Sequence, residues 1–356
     1  MALRKVQAYS ILSRNPSALK KRGKKVIQFA QIGVGYWGPN LLRNLVANKE
    51  CRVKTVVDMA KDRRAYVKNL YPGIQVSEDI QEIVGDQSIN AVVIATPVKT
   101  HYDLAKTMLS AGKHVLVEKP MATNLVQIED LQSLAKKNKR VAMVGHTFLY
   151  NAAVRYVKKL IDMGALGDIR YLYSQRLNLG RIRSDVDALW NFAPHDISII
   201  QYWLNEPDPL SVTVHGMDYV QAGIPDVVFM NIKYPGKIMA NIHVSWLDPQ
   251  KVRKMIVVGS KKMVIYDDVA EEKISIYDKG IDRMAALGEH MDYDNPAPLA
   301  FNHRSGDVLL PKIKFEEPLK VEIAHFVDCI VNGQKCLTDT EHARKVIQIL
   351  SQARLL

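Results

Sequence analysis

The first residues whose types and spacing could do chemistry are Gly33-Val34-Gly35-Tyr36-Trp37-Gly38, a GxGxxG turn. Gly33 permits the tight turn, Gly35 lets the backbone approach a pyrophosphate, and Gly38 allows the following helix to pack on its strand. Pro39 falls where a first helical turn has no use for an N–H. The remaining free N–H groups of a helix start attract phosphates. Asp58 closes the next strand and would accept hydrogen bonds from the adenosine ribose hydroxyls, which favours NAD over NADP. Arg63 and Arg64 lie just behind it and could meet a 2′-phosphate, so both cofactors stay open with NADP the lesser. Further on, Thr96-Pro97, Glu118-Lys119-Pro120 and Gly145-His146 are three polar motifs, each directly after an apolar run.

These residues need elements to hold them. Residues 26–32 form a short apolar run of strand length, Leu41, Leu42 and Leu45 fall at helical spacing, and 53–57 form a second strand. Together they make a complete strand–turn–helix–strand unit of 33 residues, from Val26 to Asp58. Strands at 90–95, 114–117 and 141–144 alternate with helical segments at about 101–111 and 125–136. That alternation predicts a doubly wound parallel sheet, a Rossmann domain over 26–147, with ligands at the carboxyl ends of its strands. All three polar motifs fall at such ends. After Gly167, residues 169–177, 210–215, 227–234, 238–244, 252–258 and 263–266 read as strands separated by turns such as Pro235-Gly236 and Asp248-Pro249. Few helices intervene, so this second sheet is expected to be large, open and mainly antiparallel. Residues 282–307 lack periodicity and are expected as a long loop, while 322–330 and 341–350 are helical by spacing. The fold class is α/β: a Rossmann domain followed by an α+β domain over 148–356, whose C-terminal helix is expected to pack back on the first.

Composition bounds the alternatives. A chain of 356 residues, 47% hydrophobic, is long enough for two domains. No apolar run approaches the roughly 18 residues of a membrane span. Cys51, Cys329 and Cys336 lack CxxC spacing, which suits a reducing, cytoplasmic setting better than a disulfide framework or a zinc site. The net charge of +12 is concentrated in residues 1–25, which carry eight basic residues and no acid. Without those eight, 41 basic residues face 37 acidic ones, a net of +4. The basic extension reads as a flexible arm or a transit peptide. The body has no basic stripe interleaved with aromatics, so no nucleic-acid partner is expected. Ten histidines without HExxH spacing, and no GxSxG, point to neither a metal nor a serine nucleophile.

At Glu118-Lys119-Pro120 the sequence resembles the Gfo/Idh/MocA oxidoreductases. The resemblance runs from Val26 to the C-terminal helix and includes Ala95-Thr96-Pro97, His101, Ala111-Gly112-Lys113-His114-Val115 and Gly145-His146-Thr147-Phe148. Gly35-Tyr36-Trp37-Gly38-Pro39-Asn40 and Ala193-Pro194-His195-Asp196 resemble a branch acting on nucleotide-linked sugars, similar to UDP-N-acetylglucosamine 3-dehydrogenases. The resemblance implies that Gly33, Gly35, Tyr36, Trp37, Gly38, Asp58, Thr96, Pro97, His101, Glu118 and Lys119 line the cofactor. It implies a Lys119 that hydrogen-bonds the reacting hydroxyl and stabilises oxyanion character, and a Glu118 that orients its loop rather than titrating.

His195 takes the place of the family's general base, a role that an unperturbed pKa near neutrality suits. The family's Asp-x-x-x-His reads Asn191-Phe192-Ala193-Pro194-His195 here, so an amide stands where a carboxylate would stabilise an imidazolium. Lys119 or a tyrosine is the alternative base. His146 and Tyr150 are expected at the gap between nicotinamide and sugar. Arg176, Arg181 and Arg183 are expected near it, as grips for a diphosphate or as ordinary salt-bridge partners. The open face of the second sheet implies a homodimer or homotetramer. The expected reaction is NAD-dependent oxidation of a secondary hydroxyl, at C3, of a nucleotide-activated amino sugar such as UDP-N-acetylglucosamine. The alternatives are a ketoreductase on a dTDP-keto-sugar, a dehydrogenase of a free sugar or inositol, and a non-catalytic NAD-sensing protein.

Overall fold

The computed structural model describes residues 26–180, 182–284 and 300–353; the basic arm, Arg181 and 285–299 lie outside them. The first domain alternates β1 (Ile27–Ile32), α1 (Gly38–Ala47), β2 (Cys51–Val57), α2 (Lys61–Leu70), β3 (Gln75–Ser77), α3 (Gln81–Gly85), β4 (Ala91–Ile94), α4 (His101–Ser110), β5 (His114–Glu118), α5 (Leu125–Asn138) and β6 (Ala142–Gly145). The strands form one parallel sheet in the order β3-β2-β1-β4-β5-β6. Helices cover both of its faces, which is why Ala91–Ile94 and Ala142–Gly145 are buried at every position instead of alternating. Leu41, Leu42 and Leu45, the helically spaced leucines, are the buried stripe of α1.

Helix α6 (Ala152–Asp162) leads into the second domain: β7 (Ile169–Leu177), α7 (Ala188–Leu204), β8 (Ser211–Met217), β9 (Val227–Tyr234), β10 (Ile238–Ser245), β11 (Val252–Gly259), β12 (Met263–Asp267), β13 (Ile274–Met284) and β14 (Ala300–Leu309). These strands make an eight-stranded sheet, β14-β13-β12-β11-β7-β10-β9-β8, antiparallel except where β7 runs alongside β10. Alternation assigns the two faces. Leu172, Ser174 and Arg176 of β7 are buried on the side that carries α7, while Tyr171, Tyr173 and Gln175 point to the other side.

One expectation fails. Residues 282–284 and 300–307, read as loop, belong to the hairpin of β13 and β14, in which Met284 pairs with Ala300. The hairpin lies at the sheet's edge, and residues 302–309 of β14 are exposed or partly exposed. With no face to bury, their sequence carries no period-two signal for a reader to detect.

The chain then returns to the first domain. Helix α8 (Pro318–Asn332) places Phe326 edge-on against Phe29 of β1, ring centroids 6.0 Å apart, and Glu317 at its start accepts hydrogen bonds from Arg43 and Asn44 of α1. Helix α9 (Thr340–Gln352) packs against α5, α7 and β6. Between them Thr338 O accepts from Val144 N at 2.8 Å, so the segment joining α8 to α9 closes the open edge of β6. Phe326 is fully buried in this junction. Phe326→Ala is expected to cost about 3–5 kcal/mol of stability, read as a lower denaturant midpoint.

Candidate active site

The glycine turn is braced from inside. Gln31, buried in β1, donates from Nε2 to Gly33 O and Gly38 O, both at 2.9 Å, and so ties the two ends of the turn together. Gly33 has φ of +92°, and a Cβ there would lie 2.5 Å from Ala95 O, so only glycine fits. Gly35 differs: a Cβ there would meet no protein atom within 4 Å, so the turn leaves its outer side open. Helix α1 begins without a side-chain cap, which leaves first-turn N–H groups facing that open side. Asp58 accepts from Val34 N at 2.7 Å and Ala60 N at 2.9 Å, which sets its carboxylate beside the turn. An uncapped helix start, an open glycine and an adjacent acid suit a dinucleotide: phosphates on the helix, ribose on Asp58.

The ends of β4 and β5 are joined by His101. Its Nδ1 lies 2.8 Å from Pro120 O and its Nε2 lies 2.8 Å from Thr96 O. A neutral ring can donate to only one of two carbonyls. Burial, the largest influence, lowers the His101 pKa, with Lys119 adding to it, so its two contacts compete for one proton. His101 thus acts as a strut between the Thr96-Pro97 loop and the Lys119-Pro120 loop. Thr100 Oγ1 donates to Thr96 Oγ1 at 2.7 Å and steadies the same loop.

Lys119 projects from the end of β5 across the seam between the two domains, and its Nζ donates to the main-chain carbonyl of Asn191 in α7 at 3.0 Å. Burial is the main force lowering its pKa, to about 8, with Arg176 and Arg183 adding to the effect against Glu118. Glu118 moves the opposite way: burial lifts it to about 7 against the pull of Lys119. Burial thus favours its neutral form more than in an ordinary carboxyl.

His195 faces the same gap, its ring edge-on to Phe148 with centroids 5.1 Å apart, and His146 closes it beneath, edge-on to His342 at 5.1 Å. Both imidazoles have pKa values well below the ordinary histidine value, first through burial, then through His342 and Lys119 for His146 and through Lys119, Arg176 and His146 for His195. Gln31 Oε1, Glu118 Oε1, His146 Nδ1 and His195 Nδ1 are buried without a hydrogen-bond partner among the described residues. Buried polar atoms left unpaired are rare.

A model of the Gfo/Idh/MocA oxidoreductases, described as an oxidoreductase family with an NAD-binding Rossmann fold, matches residues 27–146. The model of that family's C-terminal domain matches residues 154–265, so the two together cover more than half of the chain. The protein belongs to the Gfo/Idh/MocA oxidoreductase family. Among its relatives, an uncharacterised oxidoreductase of Escherichia coli is 29% identical over 66% of this chain and 69% of its own. The NAD-dependent scyllo-inositol 2-dehydrogenase of Bacillus subtilis is 24% identical over 86% of this chain and 87% of its own. Among solved structures, the UDP-N-acetylglucosamine 3-dehydrogenase of Acidithiobacillus ferrooxidans shares the fold with a TM-score of 0.75, at 22% identity over 92% of this chain and 96% of that one.

Several residues of this Gfo/Idh/MocA protein do other work than the sequence suggests. Asn191 forms no dyad with His195, whose Nδ1 is unpartnered; the contact it makes is through its carbonyl, to Lys119. Arg176 is not free for a diphosphate. It is buried, bound to both oxygens of Asp196 at 3.0 Å, with its guanidinium 4.7 Å above Phe148. Tyr150 does not reach the gap: its hydroxyl meets Thr338 Oγ1 at 3.0 Å inside the core. Arg183 is partly exposed and bridges both oxygens of Asp185. Arg181 lies outside the described residues. Tyr36 and Trp37 are both exposed on the glycine turn.

Sequence reasoning also missed residues. Arg253 of β11 pairs with Arg176 in the sheet register and is close enough to depress His195; period two along β11 could have exposed it. Glu322 of α8 is buried, accepts from Thr147 Oγ1 at 2.8 Å, and is held well above the ordinary carboxyl range, first by burial and then by Glu118. It sits among apolar helix positions and left no sequence signal. The contrast between two glycines tests the cofactor surface. Gly35→Ala should fold as the parent does yet bind the dinucleotide at least roughly tenfold more weakly; Gly33→Ala should lose stability as well, with both read by calorimetry.

Proposed function

We propose that the protein is an NAD-dependent dehydrogenase that oxidises one secondary hydroxyl, at C3, of a nucleotide-activated amino sugar such as UDP-N-acetylglucosamine. The observation that carries this reading is Lys119 Nζ, held at the domain seam with a pKa lowered to about 8 and close enough to His146 and His195, whose Nδ1 atoms are unpartnered, to lower their pKa values too. The bound nicotinamide supplies the hydride acceptor. Lys119 hydrogen-bonds the substrate hydroxyl and takes its proton as a free amine. This role passes from His195 to Lys119 because burial and neighbouring cations disfavour an imidazolium and no carboxylate offsets them. His195 and His146, both neutral, orient the sugar by hydrogen bonds. Glu118, near its midpoint at neutral pH, can exchange charge with Lys119.

NAD is preferred over NADP on local grounds. Arg64 donates to the carbonyls of Asp58 and Met59 and pairs with Glu78, so it is committed, and Asp58 would repel a 2′-phosphate. The nucleotide is the finer part of the reading. It draws on the likeness to the UDP-N-acetylglucosamine 3-dehydrogenase and on Arg183 and Arg253, partly exposed cations that both act on the site. A free polyol is the second reading, favoured by the commitment of Arg176 to Asp196 and by the inositol-dehydrogenase relative. A second copy of the chain is proposed to cover the open sheet face, where Tyr171, Met239 and Phe229 stand exposed on the neighbouring strands β7, β10 and β9. The cytoplasm suits its cofactor.

NADH formation with UDP-N-acetylglucosamine, and none with the free sugar or inositols, is the expected result; the reverse pattern selects the polyol reading. Oxidation should accelerate as pH rises through about 8, because the lowered Lys119 pKa makes the amine available there. Lys119→Met should remove that limb and lower kcat by roughly 10²–10⁴-fold while NAD binding persists; unchanged turnover would refute the mechanism. The double substitution of Tyr171→Glu and Met239→Glu should yield a monomer by light scattering.

A further inference from the structure

Behind the active site, where α8 turns back toward β6, three soft ligands meet. His325 and Cys329 are one turn apart on α8 and therefore share a face, with Cys329 Sγ 3.4 Å from His325 Nε2. Helix α8 ends at Gly333, whose φ of +67° reverses the chain and brings Cys336 back to the pair. The ligand atoms of His325, Cys329 and Cys336 all lie within 4.8 Å of one another, and both cysteines are buried free thiols.

We propose that His325, Cys329 and Cys336 form a site for a thiophilic divalent cation of the zinc class, bound by one imidazole and two thiolates. Tetrahedral zinc, with Zn–S of about 2.3 Å and Zn–N of about 2.0–2.1 Å, requires S···N edges on the order of 3.5 Å. The 3.4 Å separation already has that length. An open cleft of about 480 Å³ reaches His325 and Cys336, which gives an ion a way in and a water the fourth position. Leu337 N donates to the same Nε2 at 2.9 Å, so metal binding exchanges that hydrogen bond for a coordinate bond. A disulfide would need only the two sulfurs; the imidazole directed at Cys329 is the feature the metal accounts for.

The site would fasten the loop between α8 and α9. That loop carries Thr338, which meets Val144 of β6 and the hydroxyl of Tyr150, and the Tyr150 ring lies 5.4 Å from that of His325. The role is structural, because none of the three ligands belongs to the site at Lys119.

The test uses the full-length protein, reduced, stripped with a chelator and titrated with cobalt(II). One equivalent should bind with thiolate-to-cobalt charge-transfer absorption, and zinc should displace it. Cys329→Ser and Cys336→Ser should each abolish the band, while Cys51→Ser, on the distant β2, should retain it. If either serine variant fails to fold, alkylation of the parent decides: zinc should protect Cys329 and Cys336, mapped by peptide mass, and leave Cys51 unchanged. Absence of charge-transfer absorption, a band surviving both variants, no protection by zinc, or a Cys329–Cys336 disulfide in protein prepared under reducing conditions would overturn the proposal.

Discussion

A single hydrogen bond joins the chemistry of the two domains: Lys119 Nζ, from the end of a Rossmann strand, donates to the carbonyl of Asn191 in the helix that covers the second sheet. An ammonium cannot be withdrawn from water without a partner, so this contact constrains both sides. It requires the β5 loop to hold its shape, which His101 secures by bridging Thr96 and Pro120. It also requires α7 to stay in place, which the buried pair of Arg176 and Asp196 helps to secure from the sheet below.

The electrostatics of the site follow from that geometry. Burial pushes Lys119 toward its neutral form, with the guanidinium groups of Arg176 and Arg183 adding to it, and burial followed by the charge of nearby cations, Lys119 among them, lowers His195 and His146. Glu118 and Glu322 respond in the opposite direction, because burial penalises their anions too. The site therefore gathers groups whose charged forms are all disfavoured. Of these, Lys119 and Glu118 are drawn toward neutrality from opposite sides, Lys119 down to about 8 and Glu118 up to about 7.

The fold serves this arrangement with a long return. Helices α8 and α9 come after the second sheet yet pack on the first, so Phe326 reaches Phe29 and the loop between the helices seals β6. The returning helices close the junction between the domains. This return also creates the cluster at His325, Cys329 and Cys336, and it buries Glu322 close enough to Glu118 for that carboxylate to raise its pKa.

What the sequence by itself determined is what local physics encodes. The glycine turn, Pro39, the leucines of α1 and the polar strand ends after β4, β5 and β6 are short-range patterns, set by backbone geometry and by two-sided burial within a few residues. The parallel sheet and the place of Lys119 were legible for that reason, as was the mainly antiparallel second sheet. Tertiary structure alone decided the partners. Arg176 meets Asp196 and Tyr150 meets Thr338, and neither pairing leaves any trace in spacing. The hairpin of β13 and β14 was invisible because exposed edge strands need no apolar alternation. The lowered pKa values of Lys119 and His195 come from burial and summed charge. Those depend on residues distant in sequence, which only the folded chain brings together.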